Sequence, residues 1–424
     1  MSLEGKYDCN KRASSNFNKN LKRPHKKEER VMESLFEKQT SHFLNEIENC
    51  SNHLNQITET LLKTEDVDIA ISPKDLVFQE DTMKLYHFRP KKKGICSVPM
   101  LITYALVNRE TMMDLEEGRS LISNLLDRGL DIYIIVWGYP KRIDRYVTLD
   151  DYIEIYMDDC VEYIRKARGL EKINLMGVCQ GGTFSTIYTA LHPEKIRNLI
   201  TMVTPIDFDT DDGLLNIWSR NMDVDLMVDT LGNIPGDFMN LGFMMLKPFQ
   251  LMMDKYIGFV DGAKDTARIE SFLRMEKWIF DSPDQAGEAF RKFLNELFKK
   301  NNLIKGELEI GGKKVDLKKI HMPLLNIYAE QDHLVPPSSS KPLGDLVSSK
   351  DVTTKSFPVG HIGMYVSSKS QKELSPTIAD WITQRSSGIE KEKATSRQAT
   401  STKATKKNRP ATILKRPVKK ISDQ

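Results

Sequence analysis

"KINLMGVCQGGT", residues 172–183, decides how the rest of the chain is read. Its first half is an apolar run that suits a buried strand, and from about Gly181 the pattern becomes that of a helix. Cys179 therefore sits in the turn between them, with Gly177 and Gly181 two residues away on either side. A turn this tight strains the central backbone and crowds its neighbours, so side chains at the two flanking positions would collide; glycine avoids the collision. The turn lifts the Cys179 sulfur above the end of a sheet and sets it at a helix N-terminus, where the dipole favours an anion. The Gln180 N–H then points toward any oxyanion that forms beside the sulfur. A glycine-rich turn around an inert thiol would carry the same letters, so the motif needs support from the rest of the chain.

Outward from this turn, strands and helices alternate. "DLVFQ" and "KLYHF" read as short opening strands, "PMLITYAL" as a buried strand, and "LEEGRSLISNLLDRG" as a helix closed by Gly129. The strand "DIYIIVW", the long helix "DDYIEIYMDDCVEYIRKARG", the strand "KINLMG", the helix after Cys179 and the strand "NLITMVT" follow. Near-continuous apolar strands separated by helices imply an α/β fold: a mostly parallel sheet covered on both faces. After Pro205 the alternation stops, and it resumes with "PLLNIYAEQD", "TTKSFPV" and a last helix, "SPTIADWITQR". Residues 206–300 thus read as a helical cap inserted between two parts of one core, 65–205 and 301–386. Seven of the nineteen methionines lie between Met222 and Met253. Thioether side chains fill cores, and they also suit a wall that accommodates a variable apolar ligand.

A nucleophile in such a turn needs an acid and a histidine downstream, in that order. Asp332 falls just past the strand in "PLLNIYAEQDHLVPP", and His361 falls between the next strand and the final helix in "TTKSFPVGHIGMYV". Both belong to loops at the C-terminal ends of strands, where side chains from separate loops converge. His333 is a rival base, but a residue adjacent to the acid is poorly placed to put its ring between Asp332 and Cys179. Asp207 and Asp209 are rival acids for which helix capping is the plainer role.

The net charge of +3 conceals a division. Residues 1–30 carry +5 and residues 387–424 carry +8, which leaves −10 for the stretch between. Both ends are poor in large apolar residues and read as disordered basic arms. No aromatic or glycine-rich RNA-binding pattern accompanies the charge, so nucleic acid is not expected as a partner. Residues 31–64 read as an amphipathic helix ahead of the main domain. Five scattered cysteines without a CxxC pair or a Cys/His cluster argue against a disulfide framework and against zinc. With no apolar run long enough to span a bilayer and no apolar leader at the start, the expectation is a cytoplasmic protein without a bound metal.

Over roughly residues 70–386 the sequence resembles the catalytic subunit of polyhydroxyalkanoate synthases, α/β-hydrolase-fold enzymes that polymerise 3-hydroxyacyl-CoA. The resemblance rests on "YALVNRETMMDLEEGRSL", "VWGYP", "GVCQGG", "MEKWIFDSPDQAGEAF", "AEQDHLVPP" and "GHIGMYV", in order. These segments are most similar to the two-component type, and the basic C-terminal tail departs from it. The resemblance implies acylation of Cys179, His361 as base, Asp332 supporting it, and an oxyanion held by Gln180 and a donor near Val107. It implies no cofactor, since the CoA thioester is the substrate. It further implies a growing polyester chain at a granule surface, a second non-catalytic subunit, and assembly as a homo- or hetero-oligomer. Trp278 and Asp281 match a family segment without a derivable role, and the residues that bind the CoA nucleotide are not legible. A thioesterase or other cysteine hydrolase of the same fold would share every catalytic residue.

Overall fold

The computed structural model describes residues 68–91, 96–249 and 266–386. The basic arms at 1–30 and 387–424 and the amphipathic stretch at 31–64 lie outside the described residues. A single eight-stranded sheet organises the molecule, built from β1 (Lys74–Glu80), β2 (Met83–Phe88), β3 (Met100–Thr103), β4 (Ile132–Val136), β5 (Ile173–Val178), β6 (Ile196–Met202), β7 (Leu324–Ala329) and β8 (Val352–Phe357). Their spatial order is β1-β2-β4-β3-β5-β6-β7-β8. The pairs β1–β2 and β2–β4 are antiparallel, and every later pair is parallel.

Two-residue periodicity distributes each strand between two cores. On one face Tyr133, Ile135 and Leu175 meet Cys160, Val161 and Ile164 of α2 (Asp158–Arg168) and Phe184, Ile187 and Tyr188 of α3 (Gln180–Leu191). On the other, Ile132, Ile134 and Met176 meet Leu121, Ile122 and Leu125 of α1 (Leu121–Asp127), together with Leu374, Ile378 and Ile382 of the C-terminal helix (Ser368–Ser386). Strands apolar on both faces are what a parallel sheet sandwiched by helices requires.

The first helix departs from the sequence reading. The helix expected from "LEEGRSLISNLLDRG" begins only at Leu121, because the residues before it form a small hairpin, Asp114–Glu116 against Arg119–Ser120. Gly118 turns the hairpin at φ +75°, a left-handed conformation that glycine adopts without strain. Ser120 then caps the helix, its Oγ accepting from the Ser123 N–H at 2.8 Å.

β6 and β7 are neighbours in the sheet although a long segment separates them in sequence. That segment contains the helices α4 (Leu214–Asn221), α5 (Val224–Leu231), α6 (Gly236–Met245), α7 (Thr266–Phe280) and α8 (Gly287–Lys292); the C-terminal helix is then α9. Phe290, Phe293 and Leu297 of this segment join Phe184 of α3 in the first core. Among the described residues no helix is long and apolar enough to cross a membrane.

Candidate active site

Cys179 follows β5 directly and stands at the N-cap of α3 with φ +53° and ψ −128°. A non-glycine residue in this region carries a backbone cost on the order of 1–3 kcal/mol and persists only where its surroundings enforce it. Here the Cys179 N–H donates to the Met202 carbonyl of β6, and the Gly182 N–H donates to the Cys179 carbonyl, both at 2.9 Å. The glycines make that closure possible. A Cβ on Gly177 would lie 2.4 Å from Gly182 Cα, and one on Gly181 would lie 2.3 Å from the Thr103 carbonyl oxygen. Gly182 is the tightest, at 1.8 Å from Thr204 Oγ1. Reasoning from the residues flanking Cys179 missed it, although the doubled glycine in "CQGG" was the available signal.

Asp332 and His361 meet beyond the ends of β7 and β8. The fully buried Asp332 carboxylate accepts His361 Nδ1–H on Oδ2 at 2.7 Å and the Leu334 and Val335 N–H groups on Oδ1, each at 2.9 Å. With Nδ1 committed to the acid, Nε2 is the ring nitrogen left to act as a base. Burial opposes charging this imidazole, but the Asp332 carboxylate and then Cys179 outweigh it and push the His361 pKa up to about 10.

His333 also reaches the cavity, and burial pulls its pKa down. The rival aspartates are engaged elsewhere: Asp207 accepts from Asn301 Nδ2 at 2.9 Å, and Asp209 pairs with Arg220 at 3.2 Å. Burial raises the thiol pKa of both Cys96 and Cys160, whereas Cys179 is partly open to the cavity.

Cys179, His361, Gln180 and Val107 line one cavity of about 650 Å³, whose remaining wall is largely apolar and includes Met222, Met239 and Met275. The loop after β3 forms its rim and is fastened at several points. The Leu106 N–H donates to Gln180 Oε1 at 2.9 Å, and the Leu106 carbonyl accepts from Gln285 Nε2 at 2.8 Å. Trp278 Nε1 donates to the Arg109 carbonyl at 2.7 Å, while Asp281 pairs with the Arg109 guanidinium at 3.0 Å and accepts from the Tyr139 hydroxyl. Trp278 and Asp281 thus have a physical role in holding this loop, and Gln285, which the sequence reading did not single out, lies beside them. Among the described residues no group of His, Cys, Asp and Glu is arranged to hold a metal.

Strand order, a strained turn between β5 and α3, and a carboxylate–imidazole pair after β7 and β8 define a protein of the α/β-hydrolase fold with a thiol at the position of the usual serine. Residues 99–367 match the family model described as alpha/beta hydrolase fold, and residues 11–125 match the model for the N-terminus of poly-beta-hydroxybutyrate polymerase (PhaC). The poly(3-hydroxyalkanoate) polymerase subunit PhaC of Allochromatium vinosum is 53% identical over 337 residues, covering 79% of this chain and 95% of the relative. The protein of the same name from Synechocystis is 53% identical over 331 residues, covering 76% and 88%. The chain belongs to the family of PhaC subunits of poly(3-hydroxyalkanoate) polymerase.

Proposed function

We propose that this chain is the catalytic subunit of a polyhydroxyalkanoate synthase, polymerising (R)-3-hydroxyacyl-CoA with release of CoA through a covalent thioester on Cys179. Family membership supports the overall reaction, and one observation carries the mechanism: Cys179 and His361, the latter bonded to Asp332 behind it, line a single, largely apolar cavity. The Cys179 sulfur attacks the thioester carbonyl of the substrate, and the tetrahedral oxyanion rests on the Gln180 and Val107 N–H groups. Collapse expels CoA, whose sulfur takes a proton from His361, and leaves the acyl group on Cys179. Exchange of one thioester for another is nearly isoenergetic, so the acyl-enzyme keeps its reactivity, whereas a serine would hold a more stable oxygen ester.

In the second half-reaction His361 Nε2 takes the proton of a 3-hydroxyl group as its oxygen attacks a second thioester carbonyl, which forms the ester bond and frees a thiol. Asp332 keeps the ring in the required tautomer throughout. An apolar wall excludes water, the competing nucleophile, while tolerating a lengthening ester chain. In the cell this reading places the protein in the cytoplasm at the granule surface, with a non-catalytic partner subunit in a homo- or hetero-oligomer.

The decisive experiment supplies 3-hydroxybutyryl-CoA, with the cognate partner present, and follows CoA with a thiol reagent alongside turbidity and free acid. Polymerisation gives CoA release with rising turbidity, little soluble acid, and an acyl adduct on the Cys179 peptide. Stoichiometric soluble 3-hydroxybutyrate without sedimentable polyester would show a thioesterase instead.

A further inference from the structure

We infer that Gln285 is a positioning residue that sets the direction of the Val107 N–H and so determines whether the oxyanion site is formed. The inference rests on the reading of Val107 as an oxyanion donor. Gln285 is 3% exposed, and its own N–H and carbonyl are paired with Ile234 at 2.8 and 2.9 Å. Its backbone is thus fixed, and its side chain extends to the loop after β3, where Nε2 donates to the Leu106 carbonyl at 2.8 Å.

That carbonyl and the Val107 N–H belong to one planar trans peptide unit, so they point in opposite directions. Holding the carbonyl toward Gln285 therefore turns the Val107 N–H away from Gln285. A flip of this unit needs only ψ of Leu106 and φ of Val107 to change, and it would aim a carbonyl oxygen where the N–H had been. Neighbouring units are held by other groups. The Leu106 N–H is engaged by Gln180 Oε1, and the Arg109 carbonyl by Trp278. Asn108, immediately after the unit in question, has φ +56°, so the loop bends sharply just where the clamp acts. Gln285 lies between α7 and α8, which makes the donor's direction depend on how the helical segment is seated on the sheet.

Two substitutions test this, both read by single-turnover acylation of Cys179 and by steady-state CoA release. Gln285→Met keeps the length of the side chain and removes the donor. Loss of an oxyanion donor costs ~10²–10³-fold, so loss of its support is expected to lower acylation and kcat by about 10–100-fold with KM changed less than threefold. Gln285→Glu places a carboxylate against the Leu106 carbonyl at neutral pH but regains an O–H donor when protonated. Its activity relative to wild type should climb as pH falls through the carboxyl range, a response that a merely structural role would not give. Acylation by folded Gln285→Met within threefold of wild type overturns the inference; if that variant does not fold, a pH-independent activity ratio for Gln285→Glu overturns it. A wild-type enzyme that forms no adduct on Cys179 would instead defeat the proposed function itself.

Discussion

Replacing Asp332 by Asn tests the proposed catalytic arrangement at its most constrained point. The wild-type carboxylate accepts from three N–H groups: two backbone donors on Oδ1 and the imidazole on Oδ2. An amide has one oxygen and one NH₂, so two placements exist. If its oxygen faces Leu334 and Val335, the NH₂ meets His361 Nδ1, and the ring must move its proton to Nε2 to avoid opposing donors. If the amide flips, the NH₂ faces two backbone N–H groups and leaves both without an acceptor, which costs ~1–3 kcal/mol for each. The first placement therefore wins by roughly 2–6 kcal/mol, a population ratio of at least about 30. The ring then presents a proton where a lone pair is needed. In a serine-protease triad the same change lowers kcat about 10⁴-fold by fixing the wrong tautomer. We expect a loss of about 10³–10⁴-fold in CoA release, with the His361 ¹⁵N shifts reporting a neutral ring protonated on Nε2 alone. Retention of more than a tenth of wild-type turnover, or an inactive variant whose ring still carries its proton on Nδ1, would refute the reasoning.

Three further predictions follow from the same geometry. Cys179→Ala removes one of the groups that raise the His361 pKa, so an NMR titration should show it lower in the variant than in the wild type; an unchanged value would mean that the two side chains do not interact. Since the folded-state pKa of about 10 stands above the ordinary value of 6.5, His361 contributes stability that is complete below about pH 6.5 and is lost as pH rises through about 10. The wild-type advantage over His361→Gln in urea unfolding should accordingly shrink across that interval, and an advantage that grew would contradict the sign. Gly182→Ala drives a Cβ into the fully buried Thr204 and should destabilise by about 1–3 kcal/mol, with Thr204→Ala restoring part of the loss in a double-mutant cycle; full additivity would show that no clash exists.

Much of this is legible in the sequence, for physical reasons that differ by residue. The strands announced themselves because burial on both faces demands unbroken apolar runs, and "DIYIIVW" and "NLITMVT" have them. Cys179, Asp332 and His361 stood out as candidates because a tight turn needs glycine and because strand ends concentrate functional loops; the structure brings the latter two into direct contact. The hairpin before α1 escaped because "LEEGRS" lacks a strand's pattern, and its conformation is set by Gly118 and by capping at Ser120. Gln285 escaped for a different reason. Its partner, the Leu106 carbonyl, is 179 residues away, and a backbone carbonyl has no signature in the amino-acid alphabet.

The separation between the turn that holds Cys179 and the loop that holds His361 also bears on the chain's birth. Roughly 180 residues lie between them, so at ordinary synthesis rates of about 5–20 residues per second some 10–40 s pass before the imidazole follows the thiol out of the ribosome. For most of that interval β7 and β8 are missing from the sheet edge, and with them both the acid and the base. A nascent chain can therefore close the turn around its cysteine without possessing the means to use it.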